Sequence, residues 1–230
     1  MMIRALVFDF DGLILETEAP IYESWLALYQ SYGFPLPFET WATIIGTADI
    51  SGFDPPRELE RLVGRPLDWE AIEAQRGRHE QALIAQQPIL PGVVQYLQDA
   101  QRLGLRVGLA SSSPRTWVAG HLERLGLMKY FQAVYTSDDV ARTKPDPELY
   151  RSALAALGAA PGQAIAFEDS TNGIRAAKGA GMFCVAVPTP FTRGMPMHEA
   201  DLKLGSLAEV KLEELVKLET FITSSLTTEN

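Results

Sequence analysis

The chain has 230 residues, 47% of them hydrophobic and 21% charged, with a formal net charge of −9. This balance is ordinary for a globular protein with one large domain, or a core and a smaller insert, and it excludes the basic face of a nucleic-acid binder. An anionic substrate would meet a repulsive global field, so local cations or a metal would have to hold it.

The first predicted element is a strand from Arg4 to Asp9, where the apolar run Ala5-Leu6-Val7-Phe8 stops abruptly in acids. From Thr17 to about Gln87 no strand pattern occurs. Ile21, Trp25, Leu28 and Tyr29 repeat at helical spacing, with Gly33 as a stop. Trp41, Ile44 and Ile45 suggest a second helix halted near Gly46, and Glu58 to Leu62 a third. Asp68 opens a fourth that carries Trp69 and Ile72 and runs on through Leu83.

After Pro91-Gly92 helices and strands alternate. Val93, Tyr96, Leu97 and Leu103 line a helix ended by Gly104. Leu105–Ala110 reads as a strand, Trp117–Leu125 as a helix, Ala133–Thr136 as a strand, and Pro147–Leu157 as a helix ended by Gly158. Ala164–Phe167 is a strand, Asn172–Ala180 a helix and Met182–Val187 a strand containing the single cysteine, Cys184, an expected buried and inert thiol. Thr223 to Asn230 is expected to fray. The alternation predicts an α/β fold: a Rossmann-like parallel sheet covered on both faces, with an inserted all-helical domain. The expected boundaries are 1–16 and 88–230 for the core and 17–87 for the insert, a lid beside the acidic strand end.

Four segments carry the chemistry. Asp9 and Asp11, in Asp9-Phe10-Asp11-Gly12, bring two carboxylates to the open end of a strand, where ligands bind in open α/β sheets. Burying both requires a cation or a division of protonation states. A metal-bound carboxylate is a competent nucleophile toward phosphorus, a second acid can move protons, and Mg²⁺ suits hard oxygen ligands. Ser111 and Ser112 follow the strand Val107-Gly108-Leu109-Ala110 and can hold phosphoryl oxygens, with Ser111 assigned to the cleft and Ser113 to capping the helix that Pro114 opens. Lys144, between Thr143 and Pro145, offers a compact positive charge. Glu168 and Asp169 end Ala164-Ile165-Ala166-Phe167 and repeat the apolar-then-acidic design of the first strand. Two such ends side by side would make a divalent-metal site.

With these four segments in this order, the chain resembles the haloacid dehalogenase-like superfamily along essentially its whole length. Within it the chain looks most like the branch of β-phosphoglucomutase and small sugar-phosphate phosphatases. The resemblance implies that Asp9 is the nucleophile and Asp11 the acid/base, and that Ser111 and Lys144 orient the phosphoryl group. It also implies that Asp169, with Glu168 nearby, holds Mg²⁺ together with Asp9 and the Asp11 backbone carbonyl. The chain departs from the pattern at Glu16-Thr17, where an aspartate often stands in place of the glutamate. Where the mutases carry a histidine and a phosphate-gripping arginine, it has Ile21 and Asp49.

The expected function is therefore Mg²⁺-dependent hydrolysis of a small soluble phosphate monoester, sugar-phosphate-like, through an aspartyl-phosphate. A phosphohexomutase of the β-phosphoglucomutase type is the alternative. A phosphoacceptor signalling domain fits less well, because the acids follow the lysine and an insert of about 70 residues is present. A dehalogenase would not need Asp11. Arg76, Arg78 and His79 are candidate substrate contacts on the last insert helix. No apolar stretch approaches the roughly 18 residues of a membrane span and no signal peptide is evident, so a cytoplasmic monomer whose partner is a small phosphorylated metabolite is expected.

Overall fold

The apolar run near the start of the chain forms β1 (Ala5–Phe8), buried along its whole length. A computed structural model describes residues 2–48 and 50–218 and places β1 at the centre of a parallel sheet. Its other strands are β2 (Arg106–Ala110), β3 (Ala133–Tyr135), β4 (Ala164–Glu168), β5 (Phe183–Ala186) and the two-residue β6 (Leu202–Lys203), in the order β3-β2-β1-β4-β5-β6. The order reverses direction at β1, between β2 and β4, and a crevice opens there at the carboxyl ends of the strands. The register pairs Phe8 with Phe167, so Asp9 and Glu168 emerge side by side.

Both faces of the sheet are buried, because alternate residues of each strand point opposite ways. Ala5 and Val7 join one core with Leu149, Tyr150, Ile174 and Ala177 of α7 (Glu148–Leu157) and α8 (Thr171–Gly179). Leu6 and Phe8 join the other with Tyr96 and Leu97 of α5 (Val93–Arg102) and Val118 and Leu122 of α6 (Arg115–Arg124). Cys184 is buried and free, as expected.

Between β1 and α5 lie four helices: α1 (Glu18–Ser31), α2 (Phe38–Trp41), α3 (Pro55–Val63) and α4 (Trp69–Ala85). No strand interrupts them among the described residues. Asp54 and Asp68 accept the backbone N–H groups of Arg57 and Ala71 and so cap α3 and α4. The insert has its own aromatic centre, with Trp25 within 6.3 Å of both Trp41 and Trp69 by ring centroids. Leu15 and Ile89 form an antiparallel bridge, so the chain leaves and re-enters the α/β core through two adjacent segments.

Three expectations are corrected. The helix expected through Ile44 and Ile45 ends at Trp41, and turns then carry Ile45 into the core and Gly46 onto α8's approach loop. Leu103 does not line α5: it follows the helix as its C-cap and is exposed. β6 lies beyond the last predicted strand, too short to show a pattern. Thr223–Asn230 and Asp49 lie outside the described residues.

Candidate active site

Asp9 is the first residue past β1, and its N–H still donates to Phe167 O at 3.0 Å, which aims the chain end along the sheet. Glu168 closes β4 and Asp169 follows it. Ligand oxygens of Asp9, Glu168 and Asp169 lie within 4.8 Å of one another, all buried. Lys144, 1% exposed, donates from Nζ to Asp9 Oδ1 at 2.6 Å and to Glu168 Oε1 at 2.7 Å. Tyr150 on α7 donates its hydroxyl to the same Glu168 oxygen.

One lysine among three acids leaves the cluster short of positive charge. Burial pushes the Asp9 carboxyl up to about 8, the Glu168 charge adds to the shift, and Lys144 offsets only part of it. Burial likewise pushes Asp169 well above the usual carboxylate range, helped by Asp9 and Glu18. Although burial works against its charge, Asp9 and Glu168 hold the Lys144 ammonium above its ordinary value.

Among the described residues, both carboxylate oxygens of Asp169 are buried without a hydrogen-bond partner. An orphaned buried carboxylate is a cost of several kcal/mol unless a cation meets it. The donor set is all hard oxygen, which is what Mg²⁺ takes. The residues present therefore fit the metal. Gly12 makes the close approach possible: at φ +74° a Cβ there would stand 2.1 Å from Asp169 Oδ2.

Asp11 occupies a different environment, at the turn after β1. Its Oδ1 accepts from Thr17 Oγ1 at 2.7 Å and from the Trp117 indole N–H at 2.9 Å. Its Oδ2 accepts from Ser113 Oγ at 2.6 Å and Ser111 Oγ at 3.4 Å. Ser113 is thus no cap: α6 opens on Pro114 without a side-chain cap, and Asp138 receives the Arg115 N–H instead. The Ser113 hydroxyl instead donates to the Asp11 carboxylate, a charged acceptor. Ser111 is fully buried and accepts the Ser113 N–H, while the Ser112 hydroxyl donates to Gly46 O at 3.1 Å.

Asp9 and Asp11 border a cavity of about 200 Å³ roofed by the insert. Glu18 and Ile21 of α1, Trp41, Ile44, Gly46, Thr47, Ser112 and Ser113 complete it. The roof is held by Ser112 on Gly46, by Asn172 Nδ2 donating to Ile45 O at 2.9 Å, and by the Ala48 N–H donating to Thr143 Oγ1 at 3.3 Å. Gly46 also sits against the core at φ +75°, where a Cβ would meet Ser170 Oγ at 2.2 Å.

Arg76, Arg78 and His79 do not reach this cavity. Arg76 is turned into α4's own ion pairs with Glu73 and Glu80 and stacks over Trp25, while Arg78 and His79 are exposed. A guanidinium beside two acids on its own helix is satisfied locally at i−3 and i+4. Four residues at the site carry no strong sequence signal: Thr17, Glu18, Trp117 and Tyr150. A faint one exists for Trp117 and Tyr150, whose polar tips need a partner wherever the ring is buried.

A model of the family described as haloacid dehalogenase-like hydrolase matches residues 6–187. The chain is 44% identical over 215 residues to YhcW of Bacillus subtilis, covering 94% of this chain and 97% of that one. It is 31% identical to a phosphorylated carbohydrates phosphatase of Thermotoga maritima, over 94% of this chain and 97% of that one. Among solved structures, CbbY from Rhodobacter sphaeroides in complex with phosphate superposes with a TM-score of 0.70 at 30% identity, covering 90% of this chain and 96% of that one.

Proposed function

The chain belongs to the haloacid dehalogenase-like hydrolases, and from that membership we propose that it is a Mg²⁺-dependent phosphatase of a small, sugar-like phosphate monoester. The observation that carries this reading is the double position of Asp9. It belongs both to the cation-seeking cluster with Glu168 and Asp169 and to the rim of the cavity. A carboxylate placed so can meet a phosphoryl group that the same cation neutralises.

Asp9 attacks phosphorus with a carboxylate oxygen, the P–O bond to the alcohol breaks, and an aspartyl-phosphate forms. Asp9, Asp169 and the Asp11 backbone carbonyl, with Glu168 nearby, would hold Mg²⁺, which when bound would supply positive charge to the phosphoryl oxygens. Lys144 keeps the Asp9 carboxylate in one orientation through Oδ1. Ser111 and Ser112 sit at the β2 end, where hydroxyl and backbone donors meet phosphoryl oxygens.

Asp11 protonates the leaving oxygen and then takes a proton from the attacking water. Its two oxygens differ in what they can do. The Trp117 indole can only donate, so Oδ1 stays an acceptor. Oδ2 faces only hydroxyls, which can reverse their direction, so Oδ2 carries the proton.

The insert, with boundaries placed at 17 and 87, excludes water from this chemistry. The phosphomutase alternative is weaker. Ile21, an apolar residue lining the cavity, stands where the resemblance places the mutase histidine. Steady-state phosphate release from a panel of sugar phosphates, run beside a sugar-1-phosphate isomerisation assay, tests the choice. Asp9-dependent phosphate release is expected, and isomerisation without release would overturn it.

A further inference from the structure

Asp11 is held on one side by a chain of three rings. The Trp117 indole N–H donates to Asp11 Oδ1 at 2.9 Å, yet Trp117 is only half-buried, on the first turn of α6 beside the exposed Arg115 and Thr116. Its ring meets His121, one helical turn further on, with centroids 4.6 Å apart and planes at 79°. His121 in turn lies nearly parallel to Phe10, at 5.9 Å and 23°.

Phe10 is fully buried and is the residue before Asp11. The rings therefore close a circuit from the backbone beside Asp11, through Phe10, His121 and Trp117, back to the Asp11 carboxylate. The core fixes Phe10, and Phe10 gives His121 a fixed platform. An edge-on contact then defines the tilt of the indole, because ring edge and ring face carry opposite partial charges.

His121 is neutral in this arrangement. Its Nδ1 lies 3.2 Å from Arg124 Nη2, and a guanidinium can only donate, so Nδ1 accepts and the ring proton sits on Nε2. Burial and the Arg124 charge hold the imidazole below its ordinary value, against the pull of Asp11. Its contribution is geometric and runs through the Trp117 ring.

We propose that His121 is a positioning residue for the proton transfer: it sets the Trp117 indole, and through it the direction in which Asp11 presents Oδ2 to the leaving oxygen. The proposal rests on the phosphatase reading and adds to it a residue outside the cavity lining. An indole free to tilt would let the carboxylate turn, and Oδ2 would lose its aim at the leaving oxygen. The cost falls on esters whose leaving group needs the proton. An alkoxide is a poor leaving group and departs as the alcohol, whereas p-nitrophenolate spreads its charge over the ring and departs without a proton.

The test compares benzyl phosphate with p-nitrophenyl phosphate, two esters of similar shape, in the same preparation of each variant with Mg²⁺ added. kcat/KM reports the transfer that expels the leaving group, and the ratio of the two values does not depend on how much of a variant is folded. His121→Leu keeps the bulk and removes the aromatic ring. It should lower the benzyl-to-nitrophenyl ratio about fivefold. His121→Phe restores a ring and should recover most of that loss. In a Trp117→Phe background, His121→Leu should change the ratio by less than about twofold, since it acts through the indole N–H.

Equal losses on both esters, no recovery with His121→Phe, or additive losses in the double variant would overturn the proposal. So would a wild type that releases phosphate from the nitrophenyl ester and none from the benzyl ester. Failure to hydrolyse p-nitrophenyl phosphate at all would instead overturn the phosphatase reading.

Discussion

The strand-end cluster and the roof above it are built on opposite principles. In the cluster every group is ionisable, nearly dry and fixed by short contacts: Lys144 lies within 2.7 Å of both Asp9 and Glu168, and Tyr150 closes the other side of Glu168. The roof is aromatic and apolar and meets the core through a few neutral hydrogen bonds, through the Phe191 ring, which packs edge-on against Phe38 at 5.0 Å, and through buried apolar groups such as Ile45 and Ile84. Neutral bonds of this kind contribute about 1 kcal/mol each, whereas buried charges are worth several in either direction. The strand-end cluster is therefore held by charge, and the roof by apolar burial and neutral bonds. Reactive groups need the first property, and a site that must admit and release substrate needs the second.

This contrast can be broken most severely at Asp9. Asp9→Asn should lower phosphate release by at least about 10⁴-fold in a steady-state assay. The same change removes one of three crowded carboxyls, so metal-free thermal melts should show no loss of stability. A destabilised, still active variant would mean that Asp9 is a structural ion-pair partner.

Lys144→Met should act on both properties. With its ammonium gone, Asp9 and Glu168 are left buried and unpaired, and chemical denaturation should register a loss of about 3–5 kcal/mol.

A metal bound at the cluster would add a pH signature. Asp9 is raised from 3.8 to about 8 by burial and Glu168, so the folded chain holds a proton that the unfolded chain has released. Stability of the metal-free protein should accordingly fall as pH rises between those two values. Mg²⁺ needs the carboxylates ionised, and in excess it should return about 2–3 kcal/mol. The rise in melting temperature on adding Mg²⁺ should therefore be larger near pH 8 than near pH 5. A shift independent of pH would place the metal elsewhere.

Smaller effects probe the seam between the two regions. Trp117→Phe keeps the ring and removes an obligate donor on Asp11 Oδ1. kcat should drop about tenfold with KM nearly unchanged, since the lost contact orients the proton carrier. Gly46→Ala should cost about 1–3 kcal/mol, through its left-handed backbone and the contact with Ser170. Its main effect should be a raised KM, as the roof no longer seats on the core.

The cluster was far more legible in the sequence than the roof, and the reason is geometric. An apolar run ending in acids says where a strand stops and what it delivers, and two such runs in a parallel sheet deliver to the same edge. Asp9, Glu168 and Asp169 follow from that alone, and Lys144 from its place in the order. Ser113 shows the limit: a serine before a proline reads as a cap, yet its hydroxyl donates to Asp11, a charged acceptor that only the fold brings near. Arg76 shows it again, absorbed by Glu73 and Glu80 on its own helix and not turned to the cavity.

The sequence by itself determined the α/β core, the helical insert, the acidic strand ends and the order of the four reactive segments. All of these are written in local patterns of period 2 or 3.6 and in abrupt changes of polarity. Only the tertiary structure decided that Glu18 faces inward, that Trp117 grips Asp11 and that Asp169 is left without a protein partner. Periodicity says which face of a helix is buried. What stands opposite that face depends on how helices distant in sequence pack together, and no local pattern encodes it.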